Sequence, residues 1–290
     1  DRSLRDLNSC PTHRLSNLID ILLKPFLKHV RSHIRDSIDF LNHLPQKVDT
    51  GSYFVTFDVK SLYTNINHDI GLEAISYWLD TFPGDLHPRF QKDFILEAIN
   101  LILTNNIFEF NQGYYSQTKG TAMGTKMAPT YANLTLGYLE KKMYSELEKK
   151  STKLSSYVVD NWWRYLDDCF IIWNNELGDI SQLTNVLCNL NQSIVFKMEE
   201  NRNKISFLDI DIHKTKENVI ITDIFYKATD THQYLHFGSC HPRHTKVNIP
   251  FNLARRICTI VSDKELRKKR LNELYKILIS RNYPSSLIKA

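Results

Sequence analysis

Apolar residues in the first fifty positions recur at helical spacing, and a strand-like pattern follows them. A wide apolar stripe through residues 12–44 predicts a helix, which Pro25 kinks or divides. Ser52–Val59 is rich in aromatic and β-branched residues that alternate in places with polar ones, which predicts a strand. This predicted strand carries a single carboxylate, Asp58, directly before its last residue.

Helical and strand-like patterns are mixed along the rest of the chain. Five segments have the apolar spacing of helices, and Pro129 opens the longest of them: 69–79, 89–103, 129–149, 181–190 and 264–281. Short apolar runs around turn residues predict three hairpins and one further strand: 106–118, 162–173, 194–212 and 219–226. Antiparallel hairpins among helices predict an α+β fold, without the strict alternation of a doubly wound sheet.

Carboxylates lie next to apolar runs at two places. Asp58 is the penultimate residue of the first predicted strand, and Asp167 and Asp168 lie at the tip of the 162–173 hairpin. Carboxylates so placed are costly unless they hold metal ions. If the strands are neighbours, Asp58 and Asp167 can bridge two cations about 3.5–4 Å apart, and Val59 can add a carbonyl ligand. Taken alone, each acidic site is also typical of an ordinary turn.

Charge is distributed unevenly along the 290 residues, whose net charge is +5. Residues 241–290 contain twelve Lys/Arg and three Asp/Glu, a net charge of +9, so the first 240 residues sum to −4. A basic region of this kind suits nucleic-acid phosphates, although a solvated helix face is the alternative interpretation. The candidate phosphate contacts are Arg255, Arg256, Lys264, Lys268 and Lys269.

Hydropathy and cysteine content predict whether the protein associates with a membrane and in which redox compartment it lies. No apolar run reaches the roughly 18 residues of a membrane span, so no membrane association is predicted. Five scattered cysteines predict a reducing compartment rather than a disulfide framework.

Blocks in a fixed order resemble the palm motifs of reverse transcriptases. Asp58, with Tyr63 five residues later, resembles the first metal-binding motif and its sugar gate. Residues 124–129 resemble the middle motif, which packs on the template base and the incoming nucleotide. Residues 165–168 resemble the catalytic hairpin, and residues 207–209 resemble the hairpin that grips the primer.

The resemblance is closer to Penelope-like retroelements and extends from about residue 9 to about residue 288. It is carried mainly by residues 57–66, 120–129 and 163–168. It implies a right-hand polymerase with a fingers remnant, a ferredoxin-like palm and a mostly helical thumb. The implied domains are the fingers remnant with the helices leading into the palm (1–50), the palm with an inserted fingers segment at about 84–119 (51–226), and the basic thumb (227–290).

The resemblance also implies a function and a set of site residues. The reaction is RNA-directed DNA synthesis with two Mg²⁺ ions, or Mn²⁺, on an RNA template with a DNA primer and dNTPs. The implied site comprises the catalytic residues Asp58, Asp167 and Asp168, which bind metal together with Val59; the nucleotide-binding residues Tyr63, Met123 and Gly124; and the primer grip Phe207, Leu208 and Asp209. The predicted location is the nucleus, or otherwise the interior of the cell.

One departure from the resemblance leaves a different function open: the basic fingers strands expected upstream are missing or degenerate before Cys10. Met123 stands where many reverse transcriptases have Gln, but this substitution is typical of the Penelope-like group and does not by itself indicate inactivity. The alternative is a catalytically inactive nucleic-acid-binding remnant, or a domesticated reverse-transcriptase-like protein. A two-metal nuclease is a third interpretation, but it explains neither Tyr63 nor the middle motif.

Overall fold

The computed structural model describes residues 11–289, so the first ten residues of the predicted fingers remnant lie outside the described part of the chain. The chain divides into two compact units. Unit 1 contains Asp1–Ile34 and Val55–Glu199, and unit 2 contains Arg35–Phe54 and Glu200–Ala290. The predicted domain limits are those of polymerase subdomains, and they stay a prediction.

Helices and strands alternate irregularly along the described residues. The helices are α1 His13–Leu23, α2 Ser37–Leu41, α3 Leu62–Asn65, α4 His68–Thr81, α5 Lys92–Thr104, α6 Ala128–Lys150, α7 Thr152–Asn161, α8 Ser181–Leu190, α9 Arg243–Ile260, α10 Lys264–Ser280 and α11 Ser285–Lys289. The strands are β1 Ser52–Val59, β2 Ile107–Phe110, β3 Gly113–Ser116, β4 Trp163–Tyr165, β5 Asp168–Asn174, β6 Phe196–Asn201, β7 Lys204–Phe207, β8 Ile210–Lys214 and β9 Ile220–Ile224.

Unit 1 is built around α6 and a four-stranded sheet with the order β4-β5-β1-β6. From Ala128 to Gly137, every residue of α6 except Pro129 is buried. Pro129 suits the first turn because its missing N–H needs no partner there. Gly137 allows close packing, since a Cβ there would lie 2.8 Å from the methyl groups of Val30. The sheet order places β1 between β5 and β6, and this brings Asp58 next to the strand that follows the acidic turn.

The β2–β3 hairpin forms a separate two-stranded sheet in unit 1. Its antiparallel register pairs Phe108 with Tyr115, whose rings stack with centroids 5.6 Å apart. Three other large side chains of the hairpin are strongly exposed: Ile107 at 61%, Phe110 at 65% and Tyr114 at 78%. The hairpin thus presents an apolar surface to solvent.

Unit 2 combines the antiparallel sheet β7-β8-β9 with α9 and α10. Thr222 in β9 joins this sheet to the end of α9, because its hydroxyl donates to the carbonyl of Ile260 at 2.5 Å. Asp263 then caps α10 by accepting a hydrogen bond of 2.8 Å from the N–H of Leu266. The predicted basic helix 264–281 is thereby confirmed, as α10.

The predicted division of the N-terminal helical stripe at Pro25 is confirmed. Pro25 lies in a 3-10 segment, Lys24–His29, that ends α1. A short helix, α2, follows after a break. The sequence analysis missed α7, whose N-cap Ser151 accepts a hydrogen bond from the N–H of Leu154.

The predicted hairpin at 194–212 is wrong. β6 joins the four-stranded sheet beside β1, whereas β7 pairs with β8. The N–H of Lys60 donates to the carbonyl of Val195 at 2.9 Å, which attaches the segment before β6 to the end of β1. The apolar residues of β7 instead face partners in β8, with Ile205 opposite Ile212 and both buried. Burial of these apolar side chains against segments distant in sequence therefore determined the strand pairing. The turn residues between β6 and β7 did not.

The other predicted elements agree with the structure to within a few residues, including the 106–118 and 162–173 hairpins. Across residues 11–289, no helix has both the length and the apolar character needed to cross a bilayer.

Candidate functional site

The end of β1, which carries Asp58, and the acidic turn, which carries Asp167, lie at one edge of the sheet in unit 1. The N–H of Val59 donates to the carbonyl of Asp167 at 2.9 Å, so the end of β1 lies directly beside the acidic turn. Asp58 is exposed, and Asp167 and Asp168 are partly buried. The neighbouring strands that the sequence analysis required are therefore present.

The acidic turn has a strained backbone. Tyr165 pairs with Asp168 across the hairpin, which leaves only Leu166 and Asp167 in the turn. Leu166 has a φ of 52°, in the left-handed region that favours glycine. A side chain other than glycine in this region costs about 1 kcal/mol or more, so neighbouring groups must stabilise the turn.

Arg164 supplies such a contact from inside unit 1. Its guanidinium donates to the carbonyl of Leu166 at 3.2 Å and to the side-chain oxygen of Asn133 at 2.7 Å. It also forms an ion pair of 2.7 Å with Glu140. No role was predicted for Arg164 from the sequence, although a charged residue between Trp163 and Tyr165 in an apolar strand indicates a buried cation with a specific partner.

Tyr63 lies close to the acidic turn and to the middle motif. The N–H of Thr121 donates to the carbonyl of Tyr63 at 2.6 Å. A Cβ at Gly120, whose φ is +75°, would lie 2.5 Å from that same carbonyl oxygen. Burial, and then the negative charge of Asp167, raise the pKa of the Tyr63 hydroxyl. The structure thus brings the predicted sugar gate together with both motifs.

The segment that begins at Gly120 leads through the middle motif, residues 124–129, into α6. Met123 is half exposed, and Gly124 has a φ of 96°, a conformation that a larger residue would adopt only with strain. The N–H of Met127 donates to the buried hydroxyl of Ser16 at 3.0 Å, which ties this loop to α1. The predicted nucleotide-binding residues Met123 and Gly124 therefore lie on a loop held at both ends.

The predicted primer grip and basic residues belong to unit 2. Phe207 is buried and packs on Phe40, with ring centroids 4.6 Å apart. Leu208 and Asp209 form the two-residue turn between β7 and β8, and Leu208 has a φ of 54°. Asp209 forms an ion pair of 2.7 Å with Arg256, next to a cavity of about 410 Å³.

The remaining predicted phosphate contacts divide into two groups on unit 2. Arg255 is exposed and lines the cavity beside the Asp209–Arg256 ion pair. Lys264, Lys268 and Lys269 are exposed on α10. These four side chains can approach a polyanion without first losing a buried partner.

The chemistry of the acidic edge suits a hard divalent cation. Carboxylate oxygens are the ligands that Mg²⁺ prefers, and neither Asp58 nor Asp167 forms an ion pair with a described residue. Within residues 11–289, however, no three His, Cys, Asp or Glu side chains are grouped closely enough to hold a metal ion. The donors therefore fit the predicted metal in type, but they do not form a closed ligand set.

Two family models match parts of the chain. The family described as "Reverse transcriptase (RNA-dependent DNA polymerase)" matches residues 2–237. The family described as "Animal helix-turn-helix domain" matches residues 233–290. No curated protein sequence matches the chain.

Solved polymerase structures share the fold at low sequence identity. Apo telomerase from Candida tropicalis, truncated from its C-terminal domain, has 17% identity and a TM-score of 0.55, over 72% of this chain and 45% of that one. Telomerase from Candida albicans in complex with a TWJ fragment of telomeric RNA has 12% identity and a TM-score of 0.55, over 95% and 54%. The RNA-dependent RNA polymerase of a human picobirnavirus has 10% identity and a TM-score of 0.51, over 95% and 48%.

These likenesses establish the fold. The chain spans about half the length of these three solved chains. The predicted α+β fold of the right-hand polymerase class is confirmed, because the mixed helices and sheets correspond to the palm and thumb fold of these neighbours.

Proposed function

Since the chain belongs to the reverse transcriptase (RNA-dependent DNA polymerase) family, we propose that it is a Penelope-like polymerase core that copies RNA into DNA. The observation that carries this proposal is the hydrogen bond from Val59 to Asp167, which brings Asp58 and the acidic turn to one edge beside Tyr63. Template-directed synthesis needs carboxylates and a nucleotide-selecting side chain in such proximity, and an ordinary structural turn does not.

The acidic edge is the proposed metal-binding part of the site. Asp58, Asp167 and Asp168 would hold two Mg²⁺ or Mn²⁺ ions, with the carbonyl of Val59 as a further ligand. Bound divalent ions stabilise charge on the attacking and leaving oxygens of a phosphoryl transfer. The protein orients these carboxylates by fixing the turn from Leu166 to Asp168 against β1.

Tyr63 is the proposed selector for deoxyribonucleotides. Its ring is partly buried, and Thr121 holds its backbone carbonyl, which fixes the point where the side chain leaves the backbone. A fixed ring beneath the sugar leaves no room for a 2′-hydroxyl, the group that distinguishes RNA from DNA. Met123 and Gly124, on the loop that follows Thr121, are the proposed contacts to the incoming nucleotide.

Unit 2 is proposed to bind the primer–template duplex. The exposed cations Arg255, Lys264, Lys268 and Lys269 suit backbone phosphates, and the turn at Leu208 and Asp209 is the proposed primer grip. The Candida albicans telomerase neighbour was solved with a TWJ fragment of telomeric RNA, which supports RNA as a binding partner of this fold. The proposed retroelement origin also favours a nuclear location.

Primer extension tests the proposed function directly. We expect the chain to extend oligo(dT) on poly(rA) with dTTP and either Mg²⁺ or Mn²⁺. Asp58→Asn and Asp167→Asn should each reduce extension by more than about 100-fold. Removing a residue that only orients a metal ligand already costs up to about 100-fold, and these two residues are proposed as direct ligands. Duplex affinity should stay within about twofold, because it depends mainly on basic residues.

Asp93→Asn is the matched control, because Asp93 is an exposed acid in the first turn of α5. It should leave extension unchanged. Wild-type rates in either site variant would exclude the metal assignment. Equal extension on poly(dA) would contradict a preference for RNA templates.

A nucleic-acid-binding protein without turnover is the second candidate. It is favoured by the absence, within residues 11–289, of three grouped metal-ligating side chains. This function predicts duplex binding without extension at any Mg²⁺ or Mn²⁺ concentration. The same assay therefore separates the two functions.

A further inference from the structure

Arg164 is a buried cation at the base of the acidic turn. Its side chain is only 1% exposed, and that of its ion-pair partner Glu140 is 8% exposed. A buried charge is costly unless an opposite charge and hydrogen bonds satisfy it. The guanidinium of Arg164 therefore needs an opposite charge and hydrogen-bond acceptors within unit 1.

The guanidinium is satisfied from several directions. It donates to both carboxylate oxygens of Glu140, to the side chain and the backbone carbonyl of Asn133, and to the carbonyl of Leu166. The planar, forked arrangement of its N–H groups makes this set possible, and a lysine ammonium could not reproduce it.

Glu140 is fixed as firmly as Arg164. Its Oε1 accepts a hydrogen bond of 2.8 Å from the indole N–H of Trp162, and its Oε2 accepts one of 2.5 Å from the hydroxyl of Ser32. The backbone of Arg164 is also held, because its N–H donates to the carbonyl of Ser32 and its carbonyl accepts from Ile34. The ion pair therefore has one well-defined geometry.

The contact with Leu166 links this network to the acidic turn. Leu166 is the strained turn residue immediately before Asp167, and its carbonyl belongs to the peptide group that joins the two. The carbonyl on the other side of Asp167 accepts the hydrogen bond from Val59. Both peptide groups that flank Asp167 are thus held, one by Arg164 and the other by β1.

We propose that Arg164, oriented by Glu140 and Asn133, is a positioning residue that sets the direction of the Asp167 carboxylate. This inference rests on the proposed function, since it assigns Arg164 a role in the same reaction. Outer partners that orient metal ligands typically change metal affinity or activity by about 10- to 100-fold when removed. Arg164 touches no reacting group, so its effect passes through the turn.

The test compares Arg164→Lys with Leu147→Ala. Arg164→Lys keeps the charge opposite Glu140 but loses the forked hydrogen bonds. Leu147 is fully buried on α6 about 10 Å beyond Glu140, so its truncation destabilises unit 1 away from the turn. Each variant is assayed below its melting temperature for kcat, KM for dNTP and duplex Kd.

Two further readouts do not depend on turnover. Hydrogen exchange of the Val59 amide reports the hydrogen bond to Asp167, and electron paramagnetic resonance measures Mn²⁺ affinity. We expect Arg164→Lys to lower kcat and Mn²⁺ affinity by about 10- to 100-fold, with KM and duplex Kd within about threefold. Exchange at Val59 should accelerate, while the rest of β1 stays protected. Leu147→Ala should change melting temperature only.

Contrary results are equally clear. If Arg164→Lys only lowers the melting temperature, as Leu147→Ala does, Arg164 supports the fold and does not position the turn. If that variant does not fold, Glu140→Gln, which keeps an acceptor for Trp162, should give the same kinetic pattern. An inactive wild-type chain would overturn the proposed function, whereas Val59 exchange and Mn²⁺ affinity would still decide the role of Arg164.

Discussion

Two tyrosines of unit 1 differ in how their hydroxyl groups are placed. Tyr63 is partly buried beside the acidic turn, whereas Tyr131 in α6 is fully buried. Burial raises the pKa of both hydroxyls. The hydroxyl of Tyr131 has no hydrogen-bond partner among the described residues, and a Cβ at Gly71 would lie 1.6 Å from it. Substitution of Tyr63 is therefore expected to change nucleotide selection, whereas substitution of Tyr131 is expected to change stability.

Substitution of Tyr63 should change sugar selection. Tyr63→Ala opens space where a 2′-hydroxyl would lie, so ribonucleotide incorporation should rise relative to deoxyribonucleotide incorporation by about 10-fold or more, the scale of a lost steric contact. Single-nucleotide kinetics with dTTP and UTP measure the ratio. Tyr63→Phe keeps the ring and should retain the wild-type preference. Unchanged selection in the alanine variant would leave Tyr63 as a packing residue.

Substitution of Tyr131 should increase stability. Tyr131→Phe removes a buried hydroxyl that has no described partner, and the free energy of unfolding should rise by about 1 kcal/mol. Tyr157→Phe is the matched control, because that hydroxyl donates to the carbonyl of Ile172 at 2.5 Å and its loss should cost about 1 kcal/mol. Urea unfolding measures both. A destabilised Tyr131→Phe would mean that the hydroxyl has a partner in solution.

At the scale of elements, α10 has one face bound within unit 2 and one face free. Arg270 forms two-pronged hydrogen bonds with Asp223 in β9, the shortest at 2.6 Å, and Arg267 donates to the carbonyl of Val261. Lys268 and Lys269, between these two arginines, are exposed. The two arginines of the basic run therefore stabilise unit 2, whereas the two lysines are available to a ligand. Composition alone does not distinguish these two roles.

The Asp223–Arg270 pair should make stability depend on pH. Burial alone would raise the pKa of Asp223, but hydrogen bonds from Arg270 and from the N–H of Ile224 hold it below its usual value. An acid with a lowered folded-state pKa stabilises the fold above its unfolded value of about 3.9, and this contribution disappears as pH falls further.

The measurement is urea unfolding of wild type and Asp223→Asn from pH 6 downwards. The variant should lose stability at pH 6 and show a shallower decline below about pH 4. Glu73→Gln, at a solvent-exposed pair with Lys142, should differ less from wild type. Parallel curves for wild type and Asp223→Asn would contradict the assignment.

The free face of α10 should carry part of the duplex affinity. A Lys264, Lys268 and Lys269 triple alanine variant should lower the slope of log K against log salt by up to about three units, or about one per true phosphate contact. A triple alanine variant of the exposed Lys149, Lys150 and Lys153 in unit 1 is the control. Equal slopes for the α10 variant and wild type would leave α10 as a solvated face.

For the whole molecule, the sequence predicted those helices and hairpins whose positions depend on local residue patterns. Apolar spacing located α4, α6, α8 and α10, and turn residues located the hairpin at 106–118. The proximity of Asp58 to the acidic turn was expected only because the ordered blocks resemble a known family. The structure supplied the backbone contact next to Asp58, which is the hydrogen bond from Val59 to Asp167.

Local patterns did not predict features that depend on residues far away in the sequence. The placement of β6 depends on a backbone contact between Lys60 and Val195, and no local signal reports it. The environment of Arg164 depends on Glu140, which lies in α6 and not in the hairpin. A buried arginine can be suspected from apolar neighbours, but its partners are known only once the helices are packed.

The β2–β3 hairpin has a consequence for how the protein behaves in concentrated solution. Its two short strands have no neighbouring strand among the described residues, and its aromatic side chains face solvent. Open strand edges bearing apolar groups favour association between chains, which a net charge of +5 spread over 290 residues opposes only weakly. Added salt screens that repulsion further. The hairpin is therefore an expected site of self-association, and Tyr114→Lys, which adds a charge to it, should reduce that association.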